Sequence, residues 1–231
     1  MIFSSGLSVP EGPVLLEDGS WLVVEMGGDR GSVTHLSADG RIERIIARTG
    51  RPNGLAVESD GTIWVAESKN PALLRITPSG DVEEFLKACA GVPFLFPNDL
   101  AFGPDGALYM TDSGILADDF APGGKVRSDW MDVTPNGRVY RINVETKAIE
   151  SLDEGILFTN GIAFDAGRNL YISETLTGMI YRYRWTNGSF GQRELFGNVI
   201  SPDAPEGFKG PDGMKFGLDG NLYVTVFGQG D

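Results

Sequence analysis

A residue with an oxygen-bearing side chain, followed seven positions later by a turn residue, occurs five times along this 231-residue chain. The leading residues are Glu11, Asn53, Asn98, Asn160 and Asp212. Their partners seven positions on are Asp18, Asp60, Asp105, Gly167 and Asp219. Carboxylate and carboxamide oxygens can bind a cation or a substrate hydroxyl. A constant spacing with a varied leading residue indicates a repeated structural unit that carries one shared site.

The elements that must position these residues are β-hairpins. Apolar residues alternate on both sides of each turn, as in Gly54–Val57 and Thr62–Ala66, which is typical of half-buried strands. A second hairpin usually follows, so each repeat predicts four strands, and no long helix is expected. The leading residues are 42, 45, 62 and 52 positions apart, a period in the range of propeller blades. The sequence therefore predicts an all-β fold, a β-propeller of four-stranded blades.

The repeat count predicts a ring that this chain does not close. Four whole repeats and the first hairpin of a fifth reach Val226. A six-bladed ring with blades of about 40 residues needs roughly one and a half blades more. We expect a single propeller domain over residues 1–231 that lacks the C-terminal part of blade 5 and blade 6. A shortened chain, closure by another copy and a smaller ring all stay open. The extra residues of the third repeat, 113–136, are expected to form a loop over one face.

The leading residues predict a metal site because the first strand of every propeller blade lines the axis. Residues at one equivalent position then converge, and Glu11, Asn98, Asn160 and Asp212 would offer two carboxylates and two amide oxygens. Such hard donors suit Ca²⁺ or Mg²⁺, and the two acids balance a double charge. We expect one divalent cation, Ca²⁺ before Mg²⁺, Mn²⁺ or Zn²⁺. The alternative is that Asn and Asp before Gly only shape strand ends and turns.

A second acidic series lies six residues after the glycine of each turn, or after Arg168 in the fourth repeat. Its members are Glu25, Glu67, Asp112 and Glu174, with Val226 at the fifth position. Hairpin pairing places them at the end of the second strand, beside the leading residue of the first. They could orient metal ligands or bind substrate hydroxyls, and they could equally accept hydrogen bonds from loop amides. Asp112, at the start of the long loop, is the candidate substrate contact.

Composition excludes several functions. With 19 basic and 32 acidic residues the formal net charge is -13, which repels nucleic acids and anionic membranes. No apolar run spans a bilayer, no signal peptide is recognised, and the only cysteine is Cys89, so a cytoplasmic protein is expected. The only histidine, His35, is expected in an outer strand. A serine triad and a histidine metal cluster are therefore not expected. The oligomeric state is not indicated.

Four segments resemble the signatures of the regucalcin and gluconolactonase type of lactonase, in the order of that family. They are Pro10–Pro13, Pro97–Asp99, Asn160–Ala163 and Pro211–Met214. The resemblance implies a six-bladed propeller that hydrolyses lactones with a divalent metal, usually calcium. It implies that the ligands are Glu11, Asn160 and Asp212, with Asn98 a fourth ligand or a substrate contact.

One departure from the family bears on the substrate. Many of its sugar-lactone hydrolases carry arginine two residues before the asparagine that matches Asn98, and here that residue is Phe96. A planar apolar ring cannot hydrogen-bond a polyol. The predicted substrate is therefore either a sugar lactone or a less polar lactone, and Phe96 favours the less polar one. The hypothesis is a metal-dependent lactonase in which Asp212 orients or deprotonates the attacking water. Alternatives are a phosphoester or phosphofluoridate hydrolase on the same metal, or a non-catalytic propeller that binds a ligand or protein.

Overall fold

The computed structural model of the protein describes residues 2–204 and 206–228. Its fold is all-β, built from antiparallel sheets of which four have four strands, so the four strands predicted for each repeat are confirmed. Chain contacts define two compact units, residues 1–100 and 101–231. The single domain expected from the sequence stays a prediction. Within the described residues, no helix has the length and apolar character needed to cross a bilayer.

The first unit contains two complete sheets, each with its strands in sequence order. The first sheet consists of β1 (Pro10–Leu15), β2 (Trp21–Glu25), β3 (Ser32–Leu36) and β4 (Ile42–Arg48). The second consists of β5 (Pro52–Val57), β6 (Ile63–Glu67), β7 (Ala72–Ile76) and β8 (Val82–Leu86), followed by a short ribbon of β9 (Ala88–Cys89) and β10 (Val92–Pro93). Inward side chains such as Val24, Val65 and Ile76 are fully buried in one core. This burial is what period-two alternation predicts.

The second unit begins within the first strand of the third sheet. That sheet consists of β11 (Pro97–Phe102), β12 (Leu108–Asp112), β13 (Gly137–Ile142) and β14 (Ile149–Ile156). The following strands are β15 (Thr159–Phe164), β16 (Leu170–Glu174), β17 (Met179–Tyr183), β18 (Trp185–Thr186), β19 (Ser189–Phe190) and β20 (Glu194–Asn198). The fourth sheet has the order β15-β16-β17-β20, and β18 and β19 form a separate ribbon. Within the described residues the fifth sheet has two strands, β21 (Gly210–Phe216) and β22 (Leu222–Phe227).

The long segment of the third repeat is a loop, as predicted, and it contains short helical turns. Its position over one face stays a prediction. The loop contains a helix, α1 (Ala117–Phe120), and two 3₁₀ turns, Pro122–Gly124 and Trp130–Asp132. In the fourth repeat the apolar pattern predicts a strand over Met179–Trp185, and the structure ends this strand two residues earlier. The chain leaves β17 at Tyr183 because Trp185 pairs with Phe190 in the ribbon.

In four of the five repeats the turn aspartate stabilises the first hairpin by accepting a hydrogen bond from the backbone amide two residues later. Oδ1 of Asp60 accepts from the amide of Thr62 at 2.8 Å. In the fourth repeat Gly167 has no such side chain, and Asp165 takes over, with its Oδ1 2.8 Å from the amide of Asn169. The spacing rule therefore misses the residue that closes this turn.

Asp105, the turn aspartate of the third repeat, also forms an ion pair with Arg141. Its Oδ2 accepts from Arg141 Nε at 2.7 Å and from the Tyr109 hydroxyl at 3.1 Å. Burial acts to raise the pKa of this carboxyl, but the hydrogen bonds from Arg141, Ala107 and Tyr109 outweigh burial and lower it. The ionised form is therefore favoured by folding.

Replacing Asp105 with Asn should remove this stabilisation in a pH-dependent manner. Because the folded pKa lies below the unfolded value, the ionised carboxyl stabilises the protein above about pH 4, and the effect is lost as pH falls through the lowered pKa. We expect Asp105→Asn to lower the free energy of unfolding by about 1–2 kcal/mol at pH 7, with the difference shrinking below about pH 4. Urea denaturation followed by circular dichroism at several pH values measures this. Asp118→Asn, at an exposed position of α1, is the control. A pH-independent loss of stability in Asp105→Asn would contradict this expectation.

Candidate functional site

The leading residues of the second unit lie in β-bulges. Between Thr159 and Ile162, two residues of β15, Asn160 and Gly161, stand opposite a single residue of β16. β21 has the same irregularity relative to β22, and Asp212 lies in it. A bulge bends a strand and re-aims a side chain, and bulges are frequent beside active sites. In these two sheets the bulge therefore turns one polar side chain out of the regular alternation.

The glycine after the leading residue allows consecutive first strands to touch. A Cβ on Gly161 would lie 2.4 Å from the carbonyl oxygen of Asp212, and one on Gly54 would lie 2.7 Å from that of Asn98. Any side chain at these positions would push the strands apart. In the second unit this contact brings Asn160 and Asp212 together.

The side chains of Asn160 and Asp212 are hydrogen-bonded to each other. Asn160 Nδ2 also donates to Thr175 Oγ1 at 3.2 Å, and Thr175 Oγ1 donates to the carbonyl oxygen of Pro211 at 2.8 Å. Thr175 thus connects the asparagine to the strand that carries the aspartate. The two leading residues of this unit form one hydrogen-bonded group.

Burial raises the pKa of the Asp212 carboxyl, although hydrogen bonds from the Asn160 side chain and the Gly213 amide act in the opposite direction. The ionised carboxylate is therefore incompletely compensated by the groups around it. A divalent cation beside it would supply the missing compensation, and a carboxylate next to an amide oxygen is a donor set that Ca²⁺ accepts. The residues of this pair fit the implied cation.

Buried hydroxyls on the preceding sheet fix the backbone of the pair. Thr111 Oγ1 donates to the carbonyl oxygen of Asn160 at 2.6 Å, and Ser173 Oγ donates to that of Asp212 at 3.2 Å. Both hydroxyl residues are 0% exposed. Our reasoning from sequence missed these residues, although the signal exists: an acid of the second series stands between two hydroxyl residues in 111–113 and 173–175.

The other two predicted metal ligands belong to the first unit. Glu11 lies in β1, and Asn98, which is 4% exposed, lies in β11. A Cβ on Gly12 would lie 3.0 Å from the carbonyl oxygen of Asn53, so β1 also lies close to β5. Convergence of all four leading residues on one cation stays a prediction. Among the described residues no group of three or more His, Cys, Asp or Glu could hold a metal ion; the predicted set has two acids.

The glutamates of the second series accept hydrogen bonds from the segment that enters their own sheet. Glu67 Oε1 accepts from the amide of Arg51 at 2.7 Å, and Glu174 Oε2 accepts from that of Leu157 at 2.6 Å. Glu25 makes the same kind of contact and also pairs with Arg30 at 2.9 Å. These three buried acids organise the loops next to the leading residues.

Asp112 and Phe96, the predicted substrate contacts, are both buried. Asp112 Oδ1 accepts from the amide of Gly114 at 2.8 Å, at the start of the long loop. The guanidinium carbon of Arg51 lies 5.0 Å from the centre of the Phe96 ring, within the range of a cation–π contact. Their contacts with a substrate stay predictions.

Comparison with known proteins places this arrangement in a family. A model described as the SMP-30/gluconolactonase/LRE-like region matches residues 9–231. A gluconolactonase of Zymomonas mobilis is 29% identical over 248 residues, covering 98% of this chain and 67% of that protein. The chain spans 41% and 50% of the length of two further curated relatives that it matches.

Solved structures share the fold. A gluconolactonase of Xanthomonas campestris superposes with a TM-score of 0.77 at 24% identity, covering 96% of this chain and 71% of that one. Regucalcin of Agrobacterium tumefaciens, described as a calcium-binding protein, gives a TM-score of 0.71 at 19% identity, covering 95% and 68%. These likenesses confirm the predicted propeller fold class.

Removing the Thr111 hydroxyl should weaken the strand that carries Asn160. Thr111→Val keeps the shape but leaves the buried Asn160 carbonyl without this donor, so the free energy of unfolding should fall by about 1–3 kcal/mol. The matched control is Thr225→Val, because Thr225 is exposed and its hydroxyl donates to the Gly213 carbonyl at 2.9 Å. Water can replace that hydroxyl, so the control should change stability by less than about 0.5 kcal/mol. Equal losses in the two variants, measured by urea denaturation, would contradict a holding role for the buried hydroxyl.

Proposed function

This chain belongs to the SMP-30/gluconolactonase/LRE-like family, and from that membership we propose that it hydrolyses a lactone to the corresponding hydroxy acid with the help of one divalent cation. The relatives include a gluconolactonase and a protein named as a lactonase. The observation in this chain that carries the proposal is the half-buried Asp212 carboxyl, which is hydrogen-bonded to the side chain of Asn160.

Glu11, Asn160 and Asp212 would hold the cation, with Asn98 as a further ligand or a contact to the substrate oxygen. Ca²⁺ is the first choice, since every donor is a carboxylate or amide oxygen. When bound, the cation supplies Lewis-acid polarisation of the lactone carbonyl. The calcium-binding neighbour regucalcin is consistent with this choice.

Asp212 would act as the base. The hydrogen bond from the Asn160 side chain orients its carboxylate, one oxygen of which would take up the proton. It accepts a proton from water as the water oxygen attacks the carbonyl carbon. The bond between that carbon and the ring oxygen then breaks, and Asp212 returns the proton to the ring oxygen, which leaves as the hydroxyl of the product. Asn160 holds the carboxylate in position.

Asp212→Asn should therefore lose both chemistry and cation affinity. The amide cannot accept the proton and carries no charge, so kcat for lactone opening should fall by about 100-fold or more. Acid release from γ-butyrolactone and glucono-δ-lactone in the presence of Ca²⁺ measures the rate, and equilibrium dialysis with metal analysis measures binding. Asp219→Asn, the same exchange at an exposed turn of the same sheet, should retain activity and bound cation.

Treatment with a chelator separates the enzyme from a binding propeller. We expect removal of the cation to abolish acid release and Ca²⁺ to restore it. Parent-level turnover in Asp212→Asn would exclude Asp212 as the base, and turnover that persists in the chelated protein would exclude the cation.

A further inference from the structure

Five aromatic residues of the second unit form a continuous cluster next to the Asn160–Asp212 pair. The ring centres of Phe120 and Phe158 are 4.5 Å apart, and those of Phe120 and Phe208 are 5.6 Å apart. Trp130 and Phe227 each contact Phe208, at 5.4 Å and 5.5 Å. We call these five residues the aromatic wall. It joins the long loop of the third repeat to the segments that lead into β15 and β21.

The aromatic wall is closed on one side and open on the other. Phe120 and Phe158 are 3% and 5% exposed, whereas Phe227 is 56% exposed. Phe208 and Trp130 are half-buried. Buried rings therefore hold accessible rings in place, which gives a preformed apolar surface.

Thr175 connects the aromatic wall to the Asn160–Asp212 pair. The carbonyl oxygen of Phe158 accepts from the amide of Thr175 at 3.0 Å, and the Thr175 side chain binds Asn160 and the Pro211 carbonyl. Phe158 has a positive φ of 67°, which is uncommon for a bulky residue and is retained where the surroundings enforce it. The wall therefore stands at the end of the strands where Asn160 and Asp212 lie.

One charged pair of the long loop, Arg127 and Asp129, is neutralised within the loop. Arg127 Nε and Nη2 each donate to Asp129 at 2.7 Å. The amide of Arg127 donates to the Phe120 carbonyl at 3.1 Å. Aromatic faces offer contact area to methylene groups and no hydrogen-bond acceptor for a row of sugar hydroxyls.

We propose that the aromatic wall binds an apolar alkyl or aryl substituent on the lactone ring, so the preferred substrates are apolar lactones rather than polyhydroxylated ones. This inference rests on the proposed lactone hydrolysis. Burial of each added methylene against the wall should raise kcat/KM by about fourfold until the wall is covered.

The test compares γ-butyrolactone, γ-valerolactone, γ-heptalactone, γ-nonalactone and glucono-δ-lactone on the 231-residue chain with Ca²⁺. Acid release gives kcat/KM for each. We expect kcat/KM to rise with chain length, and the ratio for γ-nonalactone over γ-butyrolactone to fall about tenfold in Phe208→Ala and in Trp130→Ala. Phe208→Leu, which keeps much of the apolar volume, should retain most of the ratio.

The matched control is Trp185→Ala, since Trp185 is half-buried and packs on another aromatic residue, Phe190, at 4.7 Å in the β18–β19 ribbon. Its ratio should equal that of the parent. Circular dichroism and thermal melting establish that each variant is folded. An unchanged ratio in Phe208→Ala and Trp130→Ala, or a preference for glucono-δ-lactone over γ-nonalactone, overturns the proposal.

A binding measurement separates failure of the wall from failure of the proposed function. If no lactone is opened, the lactonase proposal fails, and titration of the tryptophan fluorescence with γ-nonalactone judges the wall alone. A saturable change that Phe208→Ala abolishes supports the aromatic wall as an apolar binding surface. A titration without saturation, or one unaffected by Phe208→Ala, overturns it.

Discussion

Buried hydroxyl groups that bind the backbone of the next sheet are the constraint on which the rest of the site depends. The bulges of β15 and β21 turn carbonyl oxygens away from the regular ladder, and a buried carbonyl without a donor is costly. Thr111 supplies the donor for Asn160 and Ser173 supplies it for Asp212. Each hydroxyl satisfies a carbonyl and at the same time sets the position of a leading residue. The geometry of the pair is therefore determined by residues that would touch neither substrate nor cation.

The acids near the leading residues divide into two electrostatic roles. Glu174 accepts hydrogen bonds from the Leu157 amide and from the hydroxyls of Thr177 and Tyr181, so its charge is met by protein donors. The pKa of Asp212 is raised because burial destabilises its ionised form by more than the hydrogen bonds from Asn160 and Gly213 stabilise it. The charge of Glu174 is thus met by donors of the fold, whereas that of Asp212, the acid assigned to chemistry, is left to be balanced.

Much of the fold could be predicted from the sequence because the local structure of each repeat is specified by residues within that repeat. Alternating apolar residues and Asp-Gly turns specify hairpins, and residue spacing sets the repeat. The prediction missed features that depend on three-dimensional neighbours. Asp165 closes a turn from a position the spacing rule does not reach, and Thr175 gains its role through contacts with Asn160 and Pro211 that no local pattern specifies. The aromatic wall was not predicted for the same reason, since its rings come from segments far apart along the chain.

The most direct test of the central claim is a crystal structure of the protein grown with Ca²⁺. The account predicts one ion with oxygen atoms of Glu11, Asn160 and Asp212 at about 2.3–2.6 Å from it. An ion bound elsewhere, or these three side chains pointing to separate places with Ca²⁺ present at saturating concentration, would contradict it.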